Sequence, residues 1–340
     1  MNETARTDAG GLSLDNELWL APLAGLTMPP VRQFFSRLGA GLTHTEMVSC
    51  AGLVRNNAKT LSMLRLLPDE GPVVLQLFCS DADTLVRGGE AALAHRQNPE
   101  DSRDSLAFAA LGINMACPMP KVMKHGAGAA LLHEPRTAFE MTRGLKTLGL
   151  PVWIKIRRIA ADLGETLRFV EGLIEAGADN VCIHGRTAAQ RYEGRGDRTT
   201  VKSAACRFPG KISASGDVYT VEDVLEYKNM GCVGVMLARG ALLDPCLFPR
   251  ALRALGRDIP DEQVFPGAER QIERLKTLGE SAKAVCGPRL AVVLLKRLAG
   301  GTLRGIPGAS ELRRRLGAAR EVEELLEILQ RSIVAETLTL

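Results

Sequence analysis

Short apolar runs recur along the chain at 18–23, 41–45, 73–78, 111–114, 152–156, 180–183, 211–214 and 233–237. Between them, at 31–38, 84–94, 138–148, 165–176 and 221–229, lie longer stretches with helical character. The short runs suit strands buried on both faces, and the longer stretches suit helices packed over them. Gly39, Gly177 and Gly231 follow three of the predicted helices, where a C-terminal cap favours glycine. Eight strands alternating with helices over about 230 residues predict an α/β fold, the (β/α)8 TIM barrel, with a doubly wound sheet as the alternative.

After Leu247 the alternation stops. Ile272, Leu275, Leu278, Ala282 and Val285, then Val322, Leu325, Leu326, Leu329 and Ile333, fall at helical spacing. They predict an all-helical C-terminal domain over 250–340, interrupted by turns at Gly300-Gly301 and at 305–308. Residues 95–105 form a polar break before the fourth strand, read as a surface loop on the non-catalytic face. The first sixteen residues are polar and lack an apolar h-region, so they read as a disordered leader and not a signal peptide. The barrel then spans 17–249.

Polar residues stand where the apolar runs end. Gln76 interrupts VVLQLF, Asn114 ends LGIN, Lys155 interrupts VWIKI, His184 ends VCIH, and Glu46 follows the second strand. An unpaired polar group inside a barrel costs roughly 2–7 kcal/mol. One such residue could be a satisfied core group; five at equivalent strand ends are better explained as lining one polar pocket. The last two strands run into Ser215-Gly216-Asp217 and Ala238-Arg239-Gly240. Loops in those two places often hold phosphate through backbone N–H groups, and Arg239 would add a cation. A phosphate grip facing amide, amine and imidazole groups suits flavin mononucleotide (FMN).

Cys117 sits just past the fourth strand, ahead of Pro118 and Pro120, which keep it on a stiff loop. Taken alone it reads first as a small core residue. Lys121 and Lys124 follow at once, and a thiol beside two cations suits chemistry on an anionic polymer.

Composition narrows the class. Hydrophobic residues make up 46% and charged residues 24% of 340, ordinary for a soluble enzyme, and no apolar run is long enough to span a membrane. Eight scattered cysteines, with no C-x-x-C pair and no Cys/His cluster, argue against a metal site and a disulfide scaffold and point to a reducing, cytoplasmic setting. Residues 250–320 hold fifteen Lys and Arg against seven Asp and Glu. A basic segment on a neutral body favours a polyanionic partner, and a solvated helical face is the alternative.

Together LAPLAGLTMPPVRQFF, TEM at 45–47, VVLQLF, INMACPMPKVMKHGAGAALL, VWIKIR, CIHGRTAAQRYEG, SGD and GVMLARGALLDPCLF resemble the tRNA-dihydrouridine synthase family, over roughly residues 20–248 with a weaker echo beyond. The resemblance implies an FMN-dependent oxidoreductase that reduces uridine in tRNA. Ala21, Pro22 and Leu23 would support the flavin ring, and Gln76, Lys155 and His184 would contact its edge. Ser215, Gly216, Asp217, Ala238 and Arg239 would hold its phosphate. Asn114, Arg157 and Arg186 would face the everted uracil, with Glu46, Lys121 and Lys124 also on the substrate side. Hydride from reduced FMN would add at C6 and Cys117 would protonate C5; a thiol, with its reference pKa of about 8.5, stays mostly protonated near neutrality. The chain has no dinucleotide-binding segment of its own, so NADPH would visit transiently over the flavin.

Several positions depart from the family pattern. Ser215 stands for asparagine, Ala238 and Ala116 for glycine, Gly112 for aspartate and Arg198 for tryptophan, and a histidine and aromatic pair is missing near Lys296. The other readings are an FMN barrel reducing a free pyrimidine or small enone, and a non-catalytic RNA-binding protein. A monomer is the simplest expectation.

Overall fold

The eight apolar runs form eight parallel strands in the computed structural model, which describes residues 6–96 and 107–337. The strands are β1 (Leu18–Leu20), β2 (Thr43–His44), β3 (Val73–Phe78), β4 (Ala110–Met115), β5 (Val152–Arg157), β6 (Asn180–His184), β7 (Ile212–Ser215) and β8 (Val235–Leu237). From β2 to β8 each pairs with the next, and β8 returns to β1 through Val235↔Leu18, Met236↔Trp19 and Leu237↔Leu20. A Trp19–Leu42 bridge, with Leu20 N–H donating to Leu42 O at 2.9 Å, closes the seam between β1 and β2. Closure settles the choice in favour of the (β/α)8 barrel, since a doubly wound sheet keeps two open edges.

Strand alternation divides the apolar residues into two cores. Leu18, Leu75, Ile113, Ile154 and Ile183 face outward into the large cluster shared with the helices. Trp19, Val74, Ala110, Trp153, Cys182 and Met236 belong to the smaller cluster inside the barrel. There the Trp19 and Trp153 rings lie 4.7 Å apart. A Cβ at position 234 would stand 2.2 Å from the Trp19 indole, so only glycine leaves room for that ring.

The N-terminal segment is not a disordered leader over its described part. Thr7–Ala9 and Leu12–Leu14 form an antiparallel hairpin that adds Ala9 and Leu14 to the inner core. Its turn, Gly10-Gly11, has φ of 56° and 80°, and Gly10 O accepts from Trp153 Nε1 at 2.9 Å. The hairpin therefore plugs the end of the barrel where the strands begin. Residues 1–5 of the predicted leader, and 97–105 of the predicted polar loop, lie outside the described residues. The helix Ala82–Arg96 runs into the start of that loop.

The predicted helices form at Pro29–Arg37, Ala82–Arg96, Pro135–Lys146, Leu163–Glu175 and Val221–Asn229, and the three predicted cap glycines have φ of 100°, 104° and 88°. A further helix, Arg198–Arg207, lies between β6 and β7 and is capped by Asp197, whose side chain accepts from Thr199 N–H. Beyond the barrel stand helices Ala268–Cys286, Pro288–Thr302, Ala309–Ala318 and Val322–Thr337. Their buried faces, including Ile272, Leu275, Leu294, Leu298 and Leu325, join the outer barrel core. Gly300 and Gly301 are helical and do not form the expected turn. A Cβ on Gly301 would meet Leu242 O at 2.0 Å, so glycine there lets the helix press against the segment after β8. Among the described residues no helix is long and apolar enough to cross a membrane.

Candidate active site

Inward positions nearer the strand ends are polar, and strand register puts them side by side. Asn114 is paired with Lys155, Arg157 with His184, and His184 with Ser215. Asn114 Nδ2 donates to Gln76 Oε1 at 2.9 Å, while its Oδ1 accepts from Cys117 N–H at 2.9 Å and Ala116 N–H at 3.2 Å. One buried amide thus fixes both Gln76 and the turn that presents the Cys117 thiol. Cys117 is partly exposed, and its carbonyl accepts from Ala129 N–H at 3.0 Å. A Cβ on Gly128 would lie 2.8 Å from that carbonyl, so glycine is needed for the loop to fold back. Lys121 and Lys124 are exposed on the next turn, without ion pairs among the described residues.

Lys155 stands in register beside Asn114, on the inward side of β5. Burial pushes its ammonium below the ordinary lysine range, and the nearby Arg157 cation adds to this. Among the described residues its Nζ has no hydrogen-bond partner.

His184 is buried beside Lys155, Arg157, Arg186 and Arg239, and burial first, then those cations, push it down to about 2. Arg186 N–H donates to its Nδ1 at 3.2 Å, which leaves the proton on Nε2. Deeper in the barrel His44 Nδ1 donates to Leu20 O at 2.9 Å, and burial pushes that ring down to about 4. Both imidazoles protonate near pH 6.5 once the chain unfolds, so acid favours the unfolded state. Their contribution is complete above about pH 6.5 and is lost as pH falls, at about 1.4 kcal/mol per pH unit for each ring. The His44 share should level off near pH 4. Urea unfolding followed from neutral pH downward should show this slope, reduced in His44→Gln; a flat profile would contradict two neutral buried rings.

The arginines are more committed than expected. Arg157 gives Nε to Ala116 O at 2.8 Å and Nη1 to Thr187 O and Arg191 O at 3.0 and 2.8 Å, leaving Nη2 as its uncommitted end among the described residues. Arg186, expected against the uracil, is spent inside the protein: Nη1 pairs with Asp217 at 2.7 Å, and Nε and Nη2 donate to Glu193 O and Gly194 O at 3.0 and 2.5 Å. Burial alone would raise the Asp217 carboxyl; Gly196 N–H and Arg186 outweigh it and hold it below the usual carboxylate range. The Asp217 side chain is thus an anchor for arginine, and only its backbone remains for an anion. Glu46 is likewise turned inward. Its Oε1 accepts from Leu26 N–H at 3.0 Å, and burial raises its carboxyl despite the backbone N–H groups of the 25–26 turn. It braces the loop after β1, where Ala21 N–H donates to Leu237 O at 2.9 Å, Leu23 N–H donates to Thr27 Oγ1 at 3.1 Å, and Pro22 lies between them, half-buried.

The loops after β7 and β8 come together, with Arg239 reaching Asp217 at 3.4 Å. A Cβ on Gly240 would stand 2.0 Å from Val218 O, and one on Gly216, whose φ is 105°, 3.0 Å from His184 Nε2. These two close approaches bring the backbone of both loops together as a cradle next to the imidazole. The Arg239 guanidinium turns outward, between the rings of Tyr192 at 5.0 Å and Tyr219 at 5.5 Å and 3.4 Å from Asp217. Arg198 pairs with Asp223 at 2.5 Å and with Glu226 and stacks on Tyr227 at 5.0 Å. It braces the cradle from behind.

Sequence reasoning missed Tyr192 and Tyr219. Both lie on loops, where periodicity gives no signal, yet they are two of only three tyrosines in the chain. They are 57% and 37% exposed, and large aromatics so exposed at a rim are a recognisable mark of a contact surface.

The chain is similar to several known proteins. The family profile described as dihydrouridine synthase (Dus) matches residues 19–338. A probable tRNA-dihydrouridine synthase of Aquifex aeolicus (strain VF5) is 27% identical over 327 residues, covering 95% of this chain and 98% of that protein. One from Mycobacterium tuberculosis (strain ATCC 25618 / H37Rv) is 31% identical over 339 residues, covering 95% and 83%. The tRNA-dihydrouridine synthase B of Pasteurella multocida (strain Pm70) is 32% identical over 244 residues, 70% of each. Among solved structures, TcOYE with pHBA superposes with a TM-score of 0.55 at 12% identity, over 77% of this chain and 95% of that one. Morphinone reductase does so with a TM-score of 0.52 at 13% identity, over 78% and 93%. Those two likenesses concern the fold alone.

Proposed function

The chain belongs to the dihydrouridine synthase family, and from that premise we infer that it reduces a uridine of tRNA to 5,6-dihydrouridine, with a flavin across the barrel mouth. The observation that carries this reading is the Asn114 node, which ties Gln76 and the Cys117 loop together beside Lys155. It puts a partly exposed thiol beside a cluster of inward polar side chains that a packed barrel has no structural use for.

FMN is the flavin that fits best. The backbone of 215–217 and 238–240 would take its phosphate, Lys155 Nζ and His184 Nε2–H would donate to the ring edge with Gln76, and the 21–23 loop would support the ring. Bound there and reduced by NADPH, it would supply the hydride that adds to uracil C6. The chain's own part is to orient the base and deliver the proton. Arg157 Nη2 and the pocket face of Asn114 are the donors left for the uracil carbonyls, whose negative charge grows as C6 is attacked. The Cys117 thiol protonates C5. Reaching it requires the nucleotide to leave the RNA stack, and the short loop that carries the thiol stands clear at the rim for that reason.

The helical region supplies the rest of the contact. Arg289, Arg297 and Arg304 are exposed on or beside helix Pro288–Thr302 and have no ion pair among the described residues. Arg297 Nη1 lies 3.7 Å from where a Cβ on Gly25 would stand, so this helix reaches the mouth loop. With Lys121 and Lys124 these cations would hold RNA phosphates on either side of the everted base. Mapping dihydrouridine in tRNA from a strain lacking the gene tests the reading. At least one position should revert to uridine and be restored by the wild-type gene; an unchanged map would overturn it.

A further inference from the structure

We propose that the cleft outside the ends of β6, β7 and β8 docks the phosphate-bearing adenosine half of the nicotinamide dinucleotide, an inference that rests on the flavin reading above. The cleft measures about 670 Å³, within the range of small-molecule sites. Its carboxylates are already neutralised from inside. Asp217 is held by Arg186, and Asp223 and Glu226 by Arg198. Two cations are left for a ligand. Arg195 lines the cleft, is exposed and has no partner among the described residues. Arg239 touches only the edge of Asp217, at 3.4 Å, and stands between the Tyr192 and Tyr219 rings.

Free guanidinium groups framed by exposed aromatic faces recognise a phosphate joined to a flat ring. RNA offers the same chemistry, and other unpaired cations stand where it would meet the rim. They are on the helix beside the β1 loop and on the turn after Cys117. This cleft is a third sector of the rim, next to the flavin cradle, from which a nicotinamide ring could reach the mouth.

The test titrates oxidised NADP⁺, and separately 2′,5′-ADP, into the flavin-loaded protein by calorimetry. Arg195→Ala should weaken both by about ten-fold, the effect of losing one charge-assisted contact. Tyr219→Ala should weaken them by several-fold through lost stacking. Binding of tRNA should not change in either variant. Unaltered NADP⁺ affinity in both would overturn the proposal, and so would a loss confined to tRNA, which would make the cleft an RNA contact. A protein that holds no flavin would instead sink the underlying reading, since this inference presupposes a flavin that NADPH bleaches.

Discussion

Replacing Cys117 by alanine should slow dihydrouridine formation by about 10²- to 10⁴-fold, the usual contribution of a positioned general acid. Flavin content and the bleaching of that flavin by NADPH should not change. The split follows from where the residue stands. Its side chain makes no hydrogen bond among the described residues, while the loop is held through its backbone, by Asn114 Oδ1 at 2.9 Å and by Ala129 N–H at 3.0 Å. Alanine keeps both bonds, so the cradle and the mouth survive and only the proton source is lost. Asn114→Ala should do the opposite kind of damage, freeing Gln76 and the loop together and weakening flavin retention as well as turnover. Single-turnover mixing of reduced protein with tRNA separates the two steps. Unchanged oxidation by tRNA in Cys117→Ala would remove the thiol from the chemistry.

Glu70→Ala should cost about 3–5 kcal/mol of folding stability, because it strands a buried guanidinium. Arg32 and Glu70 are only 1% and 2% exposed, with Nε to Oε2 at 2.7 Å. Arg32 also donates Nη1 to Thr27 O and Nη2 to Arg65 O, both at 2.8 Å, and Glu70 Oε1 accepts from Leu67 N–H at 2.6 Å. The pair therefore ties helix Pro29–Arg37 to the 65–70 loop and to Thr27, in the mouth loop that Glu46 braces from the other side. Against a typical total of roughly 5–15 kcal/mol, the loss should bring the protein close to unfolding. Urea unfolding measures it directly; a change under about 1 kcal/mol would show the pair is dispensable.

The barrel was legible because its strands are buried on both faces and read as unbroken apolar runs. For the same reason Gln76, Asn114, Lys155 and His184 stand out, each a polar residue in an apolar run, and strand register and hydrogen bonding bring them together. What strand periodicity cannot report is a side chain's partner. Arg186 and Asp217 were assigned separately to substrate and phosphate, yet they meet at 2.7 Å across two loops, a contact with no local signature. Glu46 was missed as a brace in the same way. The hairpin at 7–14 hid behind a polar composition, with Ala9, Leu12 and Leu14 turned inward, although its Gly-Gly turn is a known hairpin signal. Helix Arg198–Arg207 reads as polar in sequence and is fixed by its Asp197 cap and tertiary packing. Gly300-Gly301 looked like a turn because glycine has two uses, and here close helix packing, not chain reversal, is the one required.

The most direct measurement of the whole account is anaerobic and needs no turnover. The flavin of the purified protein is reduced chemically, unmodified tRNA is added, and both the flavin spectrum and the RNA are followed. One dihydrouridine should form for each flavin reoxidised. Reduced flavin that stays bleached with tRNA, yet is rapidly reoxidised by a free pyrimidine or a small enone, would contradict it.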